Sequence, residues 1–185
     1  MIQINKNMER TLVIHPKDNS TEFLHSIYKD IVGATVITGD TTKADLKDLI
    51  VNHDRTIMLG HGSAGGLFGI GFGTTYIIDS SMVEFLRKQH NNIYIWCNAD
   101  MFVRGYRLYG IYSGMFISEA IEAIYCGVQA GQRQIAESND AFGKILGDVM
   151  EYDSGSTYRK LVDEYSEVAS INRVAKYNCD LLHLR

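Results

Sequence analysis

The chain has 185 residues, 45% of them hydrophobic and 22% charged, proportions typical of a soluble globular domain. The net charge of -4 offers no basic surface, so we expect no nucleic-acid partner. The amino terminus has no long apolar run, which predicts neither a signal peptide nor a membrane anchor. Three cysteines cannot all pair within one chain. We therefore expect a cytoplasmic protein with free thiols and no membrane partner.

Short apolar runs alternate with helical patterns through the first half of the chain. The predicted strands are RTLVIHP (10–16), ATVITGD (34–40), RTIMLG (55–60) and NIYIWC (92–97). The predicted helices between them cover residues 20–31, 42–51 and 79–90. Ser20 or Thr21 would cap the first of these helices, and Asp79 or Ser80 the third. This alternation predicts an α/β fold with a mostly parallel sheet and helices on both faces.

The second half is more helical, with periodic patterns over residues 114–125, 137–150 and 156–174. Residues 123–128 (AIYCGV) alternatively form a short fifth strand. Residues 98–116 are glycine-broken and rich in aromatic residues, which indicates a long loop: either a mobile wall of a binding site or an ordinary surface connection. No repeat or linker interrupts the chain, so residues 1–185 are expected to form one domain.

A glycine-rich stretch, GHGSAG (60–65), follows the third strand and matches the G-x-G-x-x-G outline of a dinucleotide site. A pyrophosphate site also requires a helix to begin at once. The residues that follow are glycines and β-branched residues, which favour a loop or hairpin instead. A nucleotide-using enzyme is therefore the least favoured interpretation of the sequence.

His61 and Cys97 follow two predicted strands, each at the carboxyl end. We expect strands 55–60 and 92–97 to be adjacent and parallel, so that the imidazole and the thiol meet at one edge of the sheet, where ligands of open α/β sheets bind. Such a pair is the minimum for nucleophilic catalysis by a thiol. Each residue also has a structural interpretation: an ordinary loop histidine, and a small buried cysteine.

The segments TIMLGHG (56–62) and NIYIWCNA (92–99) resemble the signature of the caspase-fold cysteine peptidases of clan CD. In that family one apolar strand ends in His-Gly and a later one ends in the nucleophilic cysteine. The resemblance covers about residues 10–130 and implies a caspase-like three-layer sandwich. It further implies a peptidase with His61 as base and Cys97 as nucleophile, and an oxyanion hole made by the backbone amides of Gly62 and Cys97. The chain departs from the family pattern on either side of the cysteine, at Trp96 and Asn98.

The resemblance implies a peptide or protein substrate, with no cofactor and no metal. The charge in the pocket beside the nucleophile would set the substrate preference. Asp100, Glu119 and Asp79 favour a basic residue before the cleaved bond, whereas Arg104 and Arg107 would favour an acidic one. The alternative is a catalytically silent caspase-fold or flavodoxin-like domain that binds a small molecule or protein. The oligomeric state is open.

Overall fold

A computed structural model describes residues 9–71 and 75–185. Its strands are β1 (Thr11–Ile14), β2 (Thr35–Ile37), β3 (Arg55–Leu59), β4 (Gly62–Ser63), β5 (Gly66–Phe68), β6 (Tyr76–Ile78), β7 (Asn92–Ile95), β8 (Gly110–Ser113) and β9 (Leu182–Leu184). Its α-helices are α1 (Lys43–Val51), α2 (Val83–Leu86), α3 (Ala99–Tyr106), α4 (Ala120–Tyr125), α5 (Gln132–Asp148), α6 (Ser154–Ala169) and α7 (Arg173–Asp180). Two 3-10 helices cover Asn19–Ile27 and Ser80–Met82.

The main sheet has the strand order β2-β1-β3-β7-β8-β9. The first five of these strands are parallel, and β9 pairs antiparallel with β8 at one edge. Because β3 and β7 are adjacent and parallel, with Ile57 opposite Ile93, the residues that follow them emerge at the same edge. The predicted fold class and the predicted pairing of these two strands are both confirmed.

Each face of the sheet carries its own apolar core, because successive residues of a strand point to opposite faces. One core joins Met58 and Tyr94 to α1, α2 and α3. The other joins Ile57 and Ile93 to the 3-10 helix Asn19–Ile27 and to α5, α6 and α7. The result is a sheet between two layers of helices, and both faces of the central strands are buried. Among the described residues, no helix combines the length and apolar character needed to cross a membrane.

The segment after residue 60 forms a small antiparallel sheet, β4-β5-β6, as the hairpin interpretation predicted. Residues 64 and 65 make the two-residue turn between β4 and β5. No helix begins at the glycine-rich stretch, so the requirement for a pyrophosphate site is not met there.

Three predictions about secondary structure are wrong. Residues 98–116 are not a long loop, because they contain α3 and strand β8, which lies inside the sheet between β7 and β9. Residues 123–128 do not form a strand: they form the end of α4 and the turn that follows it. The first predicted helix is a 3-10 helix, and its cap is Asp18, which accepts a hydrogen bond from the Ser20 amide at 2.8 Å.

Glycines on α5 allow this 3-10 helix to approach closely. A Cβ atom on Gly143 would lie 2.5 Å from the carbonyl oxygen of Phe23, and one on Gly147 would lie 2.4 Å from that of Ser26. These glycines let α5 lie directly on the backbone of the segment that contributes Asp18, Ser20 and Phe23 to one end of the sheet.

Candidate active site

His61 lies just beyond the carboxyl end of β3, between that strand and the β4-β5 hairpin. Its neighbours tie it to both sheets: the Gly60 amide donates to the Ile95 carbonyl at 3.1 Å, and the Phe68 amide donates to the His61 carbonyl at 2.9 Å. The His61 side chain is only 11% exposed. Its backbone is therefore fixed relative to the end of β7, and its ring is largely enclosed.

The His61 imidazole has two polar neighbours that the sequence pattern did not indicate. Nε2 lies 2.6 Å from the Ser20 hydroxyl and 3.6 Å from an Asp18 carboxylate oxygen. The Ser20 hydroxyl donates to the same carboxylate oxygen at 2.5 Å. The hydrogen bonds from Ser20 lower the pKa of Asp18, and the His61 ring lowers it further. Asp18, Ser20 and His61 thus form a chain that orients the ring.

Cys97 stands one residue past Trp96 and just before α3. Asn98 has a left-handed backbone conformation (φ 64°, ψ 31°), which asparagine tolerates better than most residues. This turn takes the chain directly from the sheet into α3. The Trp96 indole packs into one core, while Cys97 remains partly buried at the edge of the sheet.

The Cys97 thiol interacts with the segment that follows β8. Sγ lies 3.4 Å from the carbonyl oxygen of Phe116 and 3.4 Å from Oε1 of Glu122. Burial raises the pKa of the Cys97 thiol to about 12, and the negative charge of Glu122 adds to this shift. In this conformation Cys97 is therefore a neutral thiol whose single proton is shared between the Phe116 carbonyl and the Glu122 carboxylate.

His61 and Cys97 line one crevice at the edge of the main sheet. The 3-10 helix Asn19–Ile27 and the segment after β8 form its other sides, where Phe23 and Phe116 stack with ring centroids 6.3 Å apart. The cavity volume of the crevice is about 10 Å³, which is room for about one water molecule. It brings the two predicted catalytic residues together but is closed to a peptide.

Gly62, predicted to supply an oxyanion amide, is constrained by Trp96. A Cβ atom there would lie 2.3 Å from Cδ1 of the indole and 2.5 Å from the Gly66 carbonyl oxygen. The indole Nε1 donates to the Ser63 carbonyl at 3.0 Å, which holds the hairpin against it. Opposite Leu67, Gly62 occupies a non-hydrogen-bonded position of the hairpin. Its amide therefore does not bond to Leu67.

The three predicted substrate-binding acids are dispersed. Asp79 caps the 3-10 helix Ser80–Met82 and pairs with Lys43. Asp100 lies in the first turn of α3, where its charge acts on Arg104 and His183. Glu119 precedes α4 and lines a groove between α4 and α5. None of these three acids lines the crevice. The carboxylate at the thiol is Glu122, which the sequence reasoning did not single out.

A metal site is not evident in the described parts of the chain, where no group of three or more His, Cys, Asp or Glu residues is arranged to hold an ion. Comparison with protein-family models, curated proteins and solved structures finds no match to this chain. The function is therefore inferred from the geometry of the crevice.

Proposed function

We propose that the protein is a cysteine hydrolase that acts on a peptide or protein, with Cys97 as nucleophile and His61 as its base. The observation that carries the proposal is the placement of both side chains in one crevice, at the ends of the adjacent parallel strands β3 and β7. Two further contacts support it, since Ser20 and Asp18 hold Nε2 of His61.

In the proposed reaction, the Cys97 proton passes to His61 as Sγ attacks the substrate carbonyl carbon. The amides of Gly62 and Cys97 would stabilise the oxyanion. Collapse of the tetrahedral intermediate breaks the carbon–nitrogen bond, and the departing amine takes the proton from His61. Water, deprotonated by His61, then hydrolyses the thioester and releases the thiol. For these reaction steps to begin, the crevice must open and Sγ must move away from Glu122.

Fluorogenic peptides that differ only before the cleaved bond, with Arg, Gln or Asp there, test this proposal. We expect Cys97→Ser to abolish turnover and His61→Ala to reduce it about 10²–10⁴-fold, the usual contribution of general-base catalysis. His25→Ala, which changes an imidazole outside the crevice, is the matched control and should leave turnover unchanged. Turnover that survives Cys97→Ser would refute the proposal.

A second candidate function is a catalytically silent binding domain of the same fold. The neutral, carboxylate-bound thiol of Cys97 favours it, because a thiol with a pKa of about 12 is almost entirely protonated at neutral pH. An acyloxymethyl-ketone probe separates the two candidates. A hydrolase would be labelled at Cys97 in a manner that depends on His61, whereas a silent domain would be labelled equally in wild type and in His61→Ala.

A further inference from the structure

The two carboxylate oxygens of Glu122 have different partners. Oε2 accepts hydrogen bonds from the Ser118 amide at 2.6 Å, the Ser118 hydroxyl at 2.9 Å and the Glu119 amide at 3.0 Å. Oε1 accepts a hydrogen bond from Cys97 Sγ at 3.4 Å. Three bonds from the start of α4 thus fix the carboxylate, and the thiol meets a negative charge already held in place.

A fixed negative charge beside Sγ opposes formation of the thiolate. Among the described residues, the other titratable groups around the thiol include Cys126 just after α4, Tyr177 on α7 and His61 across the crevice. The first two, when ionised, would be negative and would act in the same direction as Glu122. Glu122 differs from them because its carboxylate is in hydrogen-bond contact with Sγ and is held there by three further bonds.

We propose that Glu122 is a positioning residue of the Cys97 site: its fixed carboxylate holds the nucleophile as a neutral thiol turned toward α4, and the nucleophile becomes reactive when this contact opens. This inference rests on the proposed function, because it names the group that keeps the hydrolase at rest. Rotation of the Cys97 side chain away from Glu122 separates Sγ from the carboxylate without moving the strands. Ser118, which bonds to Glu122, also lines the crevice, so opening the crevice at that wall would disturb the same contact.

Glu122→Gln tests the proposal with little change in shape. The amide oxygen of the glutamine can accept the three bonds from Ser118 and Glu119, and its NH₂ group then faces Sγ as a donor. Glutamine is also a normal partner at this position of a helix start. The variant therefore removes the charge and replaces an acceptor beside the thiol with a donor that favours the thiolate.

The measurement is the rate of alkylation of Cys97 by iodoacetamide as a function of pH, with Cys126 and Cys179 replaced by serine and the modified site identified by mass spectrometry. In this reaction the Sγ–carbon bond forms, the carbon–iodine bond breaks, iodide leaves and the thiol proton passes to solvent. We expect Glu122→Gln to raise the rate at pH 8 about tenfold or more, and to move the midpoint of the pH profile down by at least one unit. Glu119→Gln, an equal charge change that does not contact Sγ, should stay within about twofold of the parent protein.

Equal rates for Glu122→Gln and the parent would overturn the inference, as would equal acceleration by Glu119→Gln, which would indicate a general charge effect. If Glu122→Gln fails to fold, Glu122→Ala serves as a second variant and is expected to accelerate alkylation as well. Hydrolysis of the fluorogenic peptides is measured separately. Turnover that does not depend on Cys97 would refute the hydrolase, while the alkylation ratio would still decide the role of Glu122.

Discussion

Gly62→Ala tests why a glycine directly follows His61. The added Cβ would lie 2.3 Å from Cδ1 of Trp96, more than 1 Å inside a normal carbon–carbon contact of about 3.5 Å. Trp96 is 1% exposed and packs edge-on against Phe102, with ring centroids 5.7 Å apart, so the indole has no space into which to move. The Gly66 carbonyl oxygen, 2.5 Å from the same Cβ, is backbone and equally fixed.

Overpacking of this kind costs about 1–3 kcal/mol, and this site belongs at the upper end, so we expect a loss of about 3 kcal/mol. That is a large share of the roughly 5–15 kcal/mol that stabilises a typical domain. Urea unfolding followed by fluorescence measures it directly, because Trp96 is the only tryptophan of the chain.

Gly105→Ala is the matched control. Gly105 lies in α3 with nothing within 4 Å of the added Cβ, so the variant should be as stable as wild type, or up to about 1 kcal/mol more stable. A Gly62→Ala protein within about 0.5 kcal/mol of wild type would refute the steric argument. If Gly62→Ala kept this stability but lost hydrolysis, the glycine would instead be needed to give the substrate carbonyl access to the site.

Two further predictions concern buried polar groups. Burial lowers the pKa of His15 from 6.5 to about 4. Below pH 6.5 the unfolded chain takes up this proton first, so stability falls by up to about 3 kcal/mol as the pH drops to 4. Urea midpoints at both pH values should show a smaller fall in His15→Gln, and an undiminished fall would contradict the assignment. Asn92→Ala leaves the buried Thr56 amide without the oxygen it now bonds to at 2.7 Å, which should cost about 1–3 kcal/mol by urea unfolding. Asn52→Ala, on the surface, removes an exposed hydrogen bond to the Asp48 carbonyl and is its control. It should cost only about 0.5 kcal/mol, and an equal loss in both variants would refute the argument.

The sequence predicted the frame of the fold because the central strands are nearly continuous apolar runs. TIML and NIYI have no polar face, and only strands covered on both sides bury every residue in this way. Pairing of β3 with β7 followed from the single helical pattern between them. The sequence pattern is misleading at residues 98–116, because the glycines and tyrosines there are typical of loops but belong to α3 and β8. Gly110 in fact begins β8, and Tyr112 is buried within it.

The chemistry of the crevice was less predictable. His61 and Cys97 could be proposed because each follows an apolar strand, and strand ends have a fixed relation in a parallel sheet. Ser20 and Glu122 could not, because they lie 41 and 25 residues away from their partners in the sequence. Their contacts depend on how the 3-10 helix and α4 pack, which periodicity does not determine. Glu119 and Glu122 form a capping box at the start of α4, and this local arrangement gives no indication of the thiol.

The crevice takes its walls from segments after β1, β3, β7 and β8, so its residues span about a hundred positions of the chain. Contacts between such distant residues form late, because long loops must close first. Cys97 is synthesised before Phe116 and Glu122, the two residues that bury and neutralise it. A nascent chain would therefore carry this cysteine with the ordinary acidity of an open thiol, and completion of the fold would remove it from reach. Oxidants and electrophiles would thus threaten the site most during biosynthesis, and the speed with which β8 and α4 dock would set how long the thiol is at risk.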